Sequence, residues 1–269
     1  MSWDLIDFSI LGPAIVAGLL VLTTHVPLGI EVLKRGIVFI DLAIAQVAGL
    51  GVIAASTFGW EEHGLQVQVA AVCAALVAAA GLHWTERRWA RLQEPLIGTL
   101  FVLAATGGIL LLAKNPHGGE HLKDLLVGQI LWSTWATLVP IAILYALLGL
   151  LWATVGRRLG RGGFYLIFAF AVTASVQVVG VYLVFASLII PALATADLEG
   201  RTRLLTAFAI GAIAYVLGIL LSALLDLPTG ALTVWTMAVT GVVAGVMIGR
   251  RRRAAADAEG NAWRPAGRG

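Results

Sequence analysis

The sequence predicts an all-α, polytopic transmembrane bundle, and three observations carry that prediction. Of its 269 residues 59% are hydrophobic and 12% charged, with a mean hydropathy of +0.93, a balance that soluble domains do not keep. The apolar residues fall into runs near the ~20 residues a helix needs to cross a bilayer core of about 30 Å. The Lys and Arg residues gather in short clusters between those runs, as they do at cytoplasmic loops. That clustering argues against nucleic acid as a partner, despite a net charge of +3.

In chain order the candidate spans are 9–33, 36–58, 65–84, 96–113, 133–155, 163–198, 204–225 and 229–249. The first follows "MSWDLIDFSILGP", which carries acids and no base before the apolar run. It lacks the positive region of a secretory signal and is expected to be a retained helix. "KR", "GWEEHG", "TERRWARLQEP", "KNPHGGEHLKD", "GRRLGRGG", "DLEGRTR" and "LDLPTG" close the successive spans with polar residues, Gly or Pro. Trp60, Trp84, Trp89, Trp132, Trp135 and Trp152 lie near predicted span ends, where the amphipathic indole sits best.

The sixth run is too long for one crossing, since 163–198 would measure roughly 50 Å as a single helix. If all the basic clusters face the cytoplasm, this run begins and ends on the same side and doubles back. Gly180 in "VVGVYLV" is the expected bend, with a broken or re-entrant segment between Gly180 and Pro191. The count is then nine spans with the C-terminus cytoplasmic; eight, with one strongly tilted helix, is the alternative. Residues 1–250 form one membrane domain, and 251–269, rich in small and polar residues, read as a disordered tail. The single cysteine, Cys73, permits no internal disulfide and no cysteine-based metal site.

Few polar groups lie within the apolar runs, so each is a candidate for function. Asp41, in "VFIDLAIAQV", would border a cation or proton path, because a charge at that depth costs a few kcal/mol without a partner. The alternative is a helix-start carboxylate neutralised by Lys34 or Arg35, or satisfying free N–H groups. Gln46, taken with Asp41 as a metal-site residue, and Gln177, taken as a path residue, have inter-helix glue as their alternative.

In "NPHGGEHLKDLLVGQILW" a short amphipathic helix is expected to start near Gly119, with Leu122, Leu125, Leu126 and Ile130 on its apolar side. Glu120, His121 and Asp124 then share one surface with His117 just upstream. Imidazole and carboxylate suit Zn²⁺, Mn²⁺ or Fe²⁺, and a plain wet interfacial helix is the alternative. Interrupted helices mark substrate paths in transporters, which adds Gly180, Ser187, Pro191 and Asp226. No GxxxxGK[ST] occurs, so any ATPase is another chain. A membrane-embedded enzyme finds no convergent nucleophile and base.

In this order, "VPLGIEVLKRGIVFIDLAIAQVAGLGV", "HLKDLLVGQIL", "VVGVYLVFASLIIPALATADL" and "LDLPTGALTV" resemble the integral-membrane permease subunit of ABC-type importers for zinc, manganese or iron. The resemblance implies a helical, non-enzymatic importer half in the inner membrane that forms a homodimer. It would take divalent metal from an extracytoplasmic binding protein, be powered by a cytoplasmic ATPase, and hold no tightly bound cofactor. Asp41 matches the family's metal-holding Asp, whereas Ala45 stands at its His position and Gln129 where an acid is usual. Arg157, Arg158 and Arg161 fall where the family carries an ATPase-docking insertion, here cut to "VGRRLGRGGF". The departures favour a second reading, a permease-like facilitator, receptor or accessory subunit not coupled to an ATPase.

Overall fold

In hydrocarbon every backbone N–H and C=O has to pair within its own segment, so each apolar run winds into a helix and ends where polar residues or glycine allow. The computed structural model describes residues 8–60, 64–113, 115 and 118–262, with the backbone alone at 8, 155–159, 251 and 253–262. It contains, among those residues, α1 (Phe8–Arg35), α2 (Ile40–Thr57), α3 (Leu65–Arg88), α4 (Gln93–Leu112), α5 (Gly118–Val127), α6 (Trp135–Val179), α7 (Val181–Ala194), α8 (Gly200–Leu225) and α9 (Thr229–Ala262). Two 3₁₀ turns, Ala90–Leu92 and Ile130–Trp132, complete them. Eight helical stretches are long and apolar enough to cross a membrane, and α7 is a shorter ninth.

Helix α6 is two limbs. Only Gly160, at φ 57° and ψ −149°, leaves the helical region within Trp135–Val179. The limbs fold back on one another there, because the Tyr145 hydroxyl hydrogen-bonds Ser175 and Trp152 packs edge-on to Phe164 with ring centroids 6.4 Å apart. The expected loop at "GRRLGRGG" is thus helix on either side of one glycine. Arg and Leu are good helix formers, and a single residue absorbs the reversal. The sixth apolar run breaks at Gly180, as its length required, between the second limb (Gly160–Val179) and α7.

With α5 lying across the end between α4 and α6, the spans alternate so that α1, α3, the first limb of α6, α7 and α9 all finish at one end. Lys34, Arg35, Arg87 and Arg88 close α1 and α3 there, and Arg201, Arg203 and Arg250 share that basic end. Counting α7 as a pass, the start of α1 and the end of the Thr229–Arg250 stretch of α9 lie at opposite ends of the bundle.

Helices α1, α2, the second limb of α6 and α7 form the core, whereas α4, the first limb and α9 turn most of their surface outward. Small residues set the closest crossings: a Cβ on Gly51 of α2 would lie 2.9 Å from the Ala74 Cβ of α3, and one on Gly218 of α8 would lie 2.6 Å from the Thr233 Cα of α9. Without a hydrophobic force between helices in lipid, such backbone approach supplies the dispersion contact that holds them.

Two elements differ from their sequence reading. Helix α5 stops at Val127 because Gly128 takes φ 75°, so Ile130 belongs to the following 3₁₀ turn, where it is still buried. Helix α9 continues through Ala262, making the backbone of 251–262 helical where composition reads as unstructured tail. Ala254, Ala255, Ala256 and Ala258 supply the propensity.

At the basic end, buried Gln93 ties three elements. Its amide donates to the Leu82 carbonyl at 2.9 Å and to the Tyr165 hydroxyl at 3.2 Å, while Thr85 donates to its oxygen at 3.0 Å. Gln93→Leu strips the Tyr165 hydroxyl and the Leu82 carbonyl of the amide in a dry site, while Thr85 keeps its 3.0 Å bond to the Leu82 carbonyl, and is expected to cost about 1–3 kcal/mol, read as a lowered thermal midpoint of the detergent-purified protein. By contrast Arg161→Ala removes only a 3.6 Å pair whose arginine is 63% exposed and should change stability by less than about 1 kcal/mol.

Candidate functional site

The α1–α2 turn decides where Asp41 sits. Gly36, at φ 67°, ends α1; Ile37 is buried behind it, and Phe39 stacks on Phe185 of α7 with centroids 6.5 Å apart. Helix α2 therefore starts against α7, with Asp41 as its second residue and 0% exposed. Helix α2 also packs on α3, α4 and α6.

Neither Asp41 oxygen makes a hydrogen bond of good geometry. The N–H groups of Asp41 itself and of Leu42, in the open first turn of α2, are the donors turned towards it. Among the described residues no basic side chain reaches it within ion-pair distance. Arg35 is engaged elsewhere, 3.0 Å from Glu31 and 4.2 Å above the Phe164 ring, and Lys34 is exposed. The N–H groups of Val38 and Phe39, just ahead of α2, are turned to Glu94 of α4 instead. The bundle thus holds a carboxyl group in its core with no cationic neighbour among the described residues, and Ala45 and Gln46 on the same helix are also buried.

The α7 region carries the other inner residues. Ser187 is fully buried, donates to the Leu183 carbonyl and lies 2.8 Å from the Tyr215 hydroxyl of α8. Pro191 is buried inside α7. Gly180, at φ 79° and ψ 163°, presses against Val127 and Gly128 at the end of α5. This contact covers the start of α7, which at 14 residues is only ~21 Å long and would otherwise end its backbone in lipid.

The remaining sequence candidates scatter. Gln177 is exposed although it lies in the mostly buried second limb, and Asp226 is exposed as the left-handed cap of α8, φ 52°. On α5, Glu120 and Asp124 are exposed and His121 half-buried; His117 lies outside the described residues, as does His63. Among the described residues no group of three or more His, Cys, Asp or Glu side chains comes together as a ready metal centre. Arg161 pairs with Glu86, and of Arg157 and Arg158 only the helical backbone is described.

His25 of α1 escaped the sequence reading. It is fully buried, with Nδ1 3.0 Å from the Val21 carbonyl oxygen. A carbonyl only accepts, so Nδ1 carries the hydrogen and Nε2, which has no partner, is left as a bare acceptor in the neutral ring. The available signal was plain, a lone imidazole deep in the first apolar run.

Eight membrane-length helices with a shorter ninth, a break at Gly180, a buried carboxyl group with no basic partner among the described residues and a short helix across one end make up a polytopic membrane bundle. The chain matches the model of the ABC 3 transport family over residues 7–160 and 153–248, and it belongs to that family. Among solved structures it resembles PsaBC from Streptococcus pneumoniae in complex with a Fab, at 19% identity and a TM-score of 0.73, over 91% of this chain and 95% of that one. It also resembles an inward-facing metal-chelate type ABC transporter, at 17% identity and a TM-score of 0.67, over 90% of this chain and 88% of the other. No curated protein matches. The expected ABC-type permease is met at the level of the family, and the two solved structures show the same fold.

Proposed function

We propose that this chain is the membrane-spanning subunit of an ATP-driven importer of divalent transition-metal cations, with Zn²⁺ or Mn²⁺ as cargo and Asp41 bordering the path. The observation that carries the reading is the fully buried Asp41 with no basic partner among the described residues, since an ionisable group kept at lipid depth without a counter-ion suits a passing cation. Helix α5, with Glu120, His121, Asp124 and the neighbouring His117, would receive metal from an extracytoplasmic binding protein. The basic end would face the cytoplasm and its ATPase. Exposed Gln177 and Tyr182, beside the Gly180 break, favour a second copy of the chain or a shared aqueous route over that face, because an amide has no partner in hydrocarbon.

The uncoupled relative is the second reading. Two observations favour it: Ala45 at the expected His position, and an α6 that passes Arg157, Arg158 and Arg161 as helix with no docking loop. Reconstitution separates the two. The chain, co-expressed with a candidate ATPase and binding protein from the same genome, is expected to form a stable complex and to drive ATP-dependent uptake of radiolabelled Zn²⁺ or Mn²⁺ into proteoliposomes. A chain that purifies without ATPase in mild detergent, and whose metal flux ignores ATP, would establish the uncoupled reading.

A further inference from the structure

We infer that the α3–α4 turn, residues 87–92, is the surface on which this chain seats its ATP-hydrolysing partner, offering arginines and an indole to an acidic face. The inference rests on the ATP-driven reading above and names the contact through which it would work.

Four connections reach the basic end, and three are unsuited to such a contact. The α1–α2 turn keeps Ile37 buried and stacks half-exposed Phe39 on Phe185, leaving Lys34 as its one exposed cation. At the α6 reversal one residue alone leaves the helix, so no loop projects there, and Arg161, though 63% exposed, pairs with Glu86. The α7–α8 turn presents Asp197 and Glu199, both exposed and acidic.

The α3–α4 turn has the opposite character. Arg87, Arg88, Trp89, Ala90, Arg91 and Leu92 are six consecutive exposed residues, while the flanking acids turn away: Glu86 is buried and Glu94 half-buried. The sequence "TERRWARLQEP" is mixed in charge, yet the folded turn shows only its cations.

The turn is also rigid before any partner arrives. The Trp89 N–H donates to Thr85 at 2.7 Å and the Leu92 N–H to Trp89 at 2.9 Å, Trp84 and Trp89 meet edge-on at 5.2 Å, and Gln93 anchors the base through Leu82 and Tyr165. Arg and Trp on a preorganised support are what binding hot spots are built from, and a run of one sign selects the opposite sign in its partner. The turn has a mechanical connection as well. Gln93–Tyr165 and Glu86–Arg161 join it to the second limb of α6, whose far end is the Gly180 break against α5.

Anionic lipid headgroups share the partner's chemistry, so the test separates the two. The full chain is co-expressed with its ATPase, purified in nonionic detergent, and measured for ATPase stoichiometry and for co-purifying phosphatidylglycerol. Arg87→Glu, Arg88→Glu and Arg91→Glu together should lower bound ATPase at least about tenfold, equivalent to 1.4 kcal/mol, with an unchanged monodisperse profile. Trp89→Ala should lower it several-fold, and Asp197→Lys with Glu199→Lys should not lower it. If the reversal variant does not fold, the triple Arg→Gln variant carries the same test. Wild-type stoichiometry in the arginine and Trp89 variants overturns the inference, and a concurrent loss of phosphatidylglycerol would assign the turn to lipid. Failure of the unaltered chain to hold any ATPase overturns the ATP-driven reading itself.

Discussion

Replacing Asp41 with Asn is expected to reduce metal uptake by the reconstituted transporter at least about 100-fold, since even second-sphere changes around a bound metal cost 10–100-fold in affinity, while the protein folds normally. The substitution keeps the shape of a fully buried side chain that, among the described residues, forms no ion pair and no well-aligned hydrogen bond. No packing is lost and no partner is stranded. A group held in the bilayer without a counter-ion is a load on stability, so the neutral amide should leave the thermal midpoint unchanged or raise it. Transport and stability then move independently. If Asp41 instead serves α2 by answering the open N–H groups of its first turn, Asn would still accept from them but lose the charge–dipole interaction, worth about 0.3–1 kcal/mol at a helix N-terminus. That outcome is a slightly lower midpoint with uptake intact. Paired measurement of uptake and of unfolding by intrinsic fluorescence distinguishes the two.

The parts of this molecule legible in its sequence are those set by the solvent rather than by neighbours. Apolar runs of membrane length became helices, because lipid leaves the backbone no other way to pair. Gly180 was legible because one run was too long for one crossing. Residues 155–161 were not, since their polar composition suits a loop and a helix equally, and the fold-back at Gly160 depends on Tyr145 meeting Ser175 thirty residues away. Asp41 was visible as a carboxyl group in an apolar run. Its isolation was invisible, being a tertiary fact about where Arg35 turns and about Glu94 facing the N–H groups ahead of α2. Gln177 illustrates the general limit: a membrane helix is apolar all round, so periodicity cannot say which face meets protein, and its exposure had to be seen. His25 carries the same signal as Asp41, a lone ionisable side chain within an apolar run.

The Gly180 junction should tolerate no side chain on either of its two central residues. Gly180 lies at φ 79° and ψ 163°, a region essentially reserved for glycine, where another residue costs about 1–3 kcal/mol in strain alone. Strain is the smaller part here. A Cβ on Gly180 would overlap the Gly128 nitrogen and the Val127 carbonyl carbon, and a Cβ on Gly128, itself at φ 75°, would overlap the Val179 carbonyl. These are backbone atoms and cannot rotate aside as a side chain would. The Val127 carbonyl is pinned from a third direction by Gly230 at the start of α9, so α5, α6, α7 and α9 would all have to part. Gly180→Ala and Gly128→Ala are therefore each expected to cost more than about 4 kcal/mol, in the exceptional tail of single substitutions, and to leave little monodisperse protein after detergent extraction. Gly160 supplies the comparison. It occupies the same kind of backbone region, at φ 57° and ψ −149°, with nothing within 4 Å of a new Cβ. Gly160→Ala should cost only the strain, about 1–3 kcal/mol, and remain extractable with a lowered midpoint. Equal yields and midpoints for the three variants would mean that the junction yields, and that α5 is not held against the break in α7 by this contact.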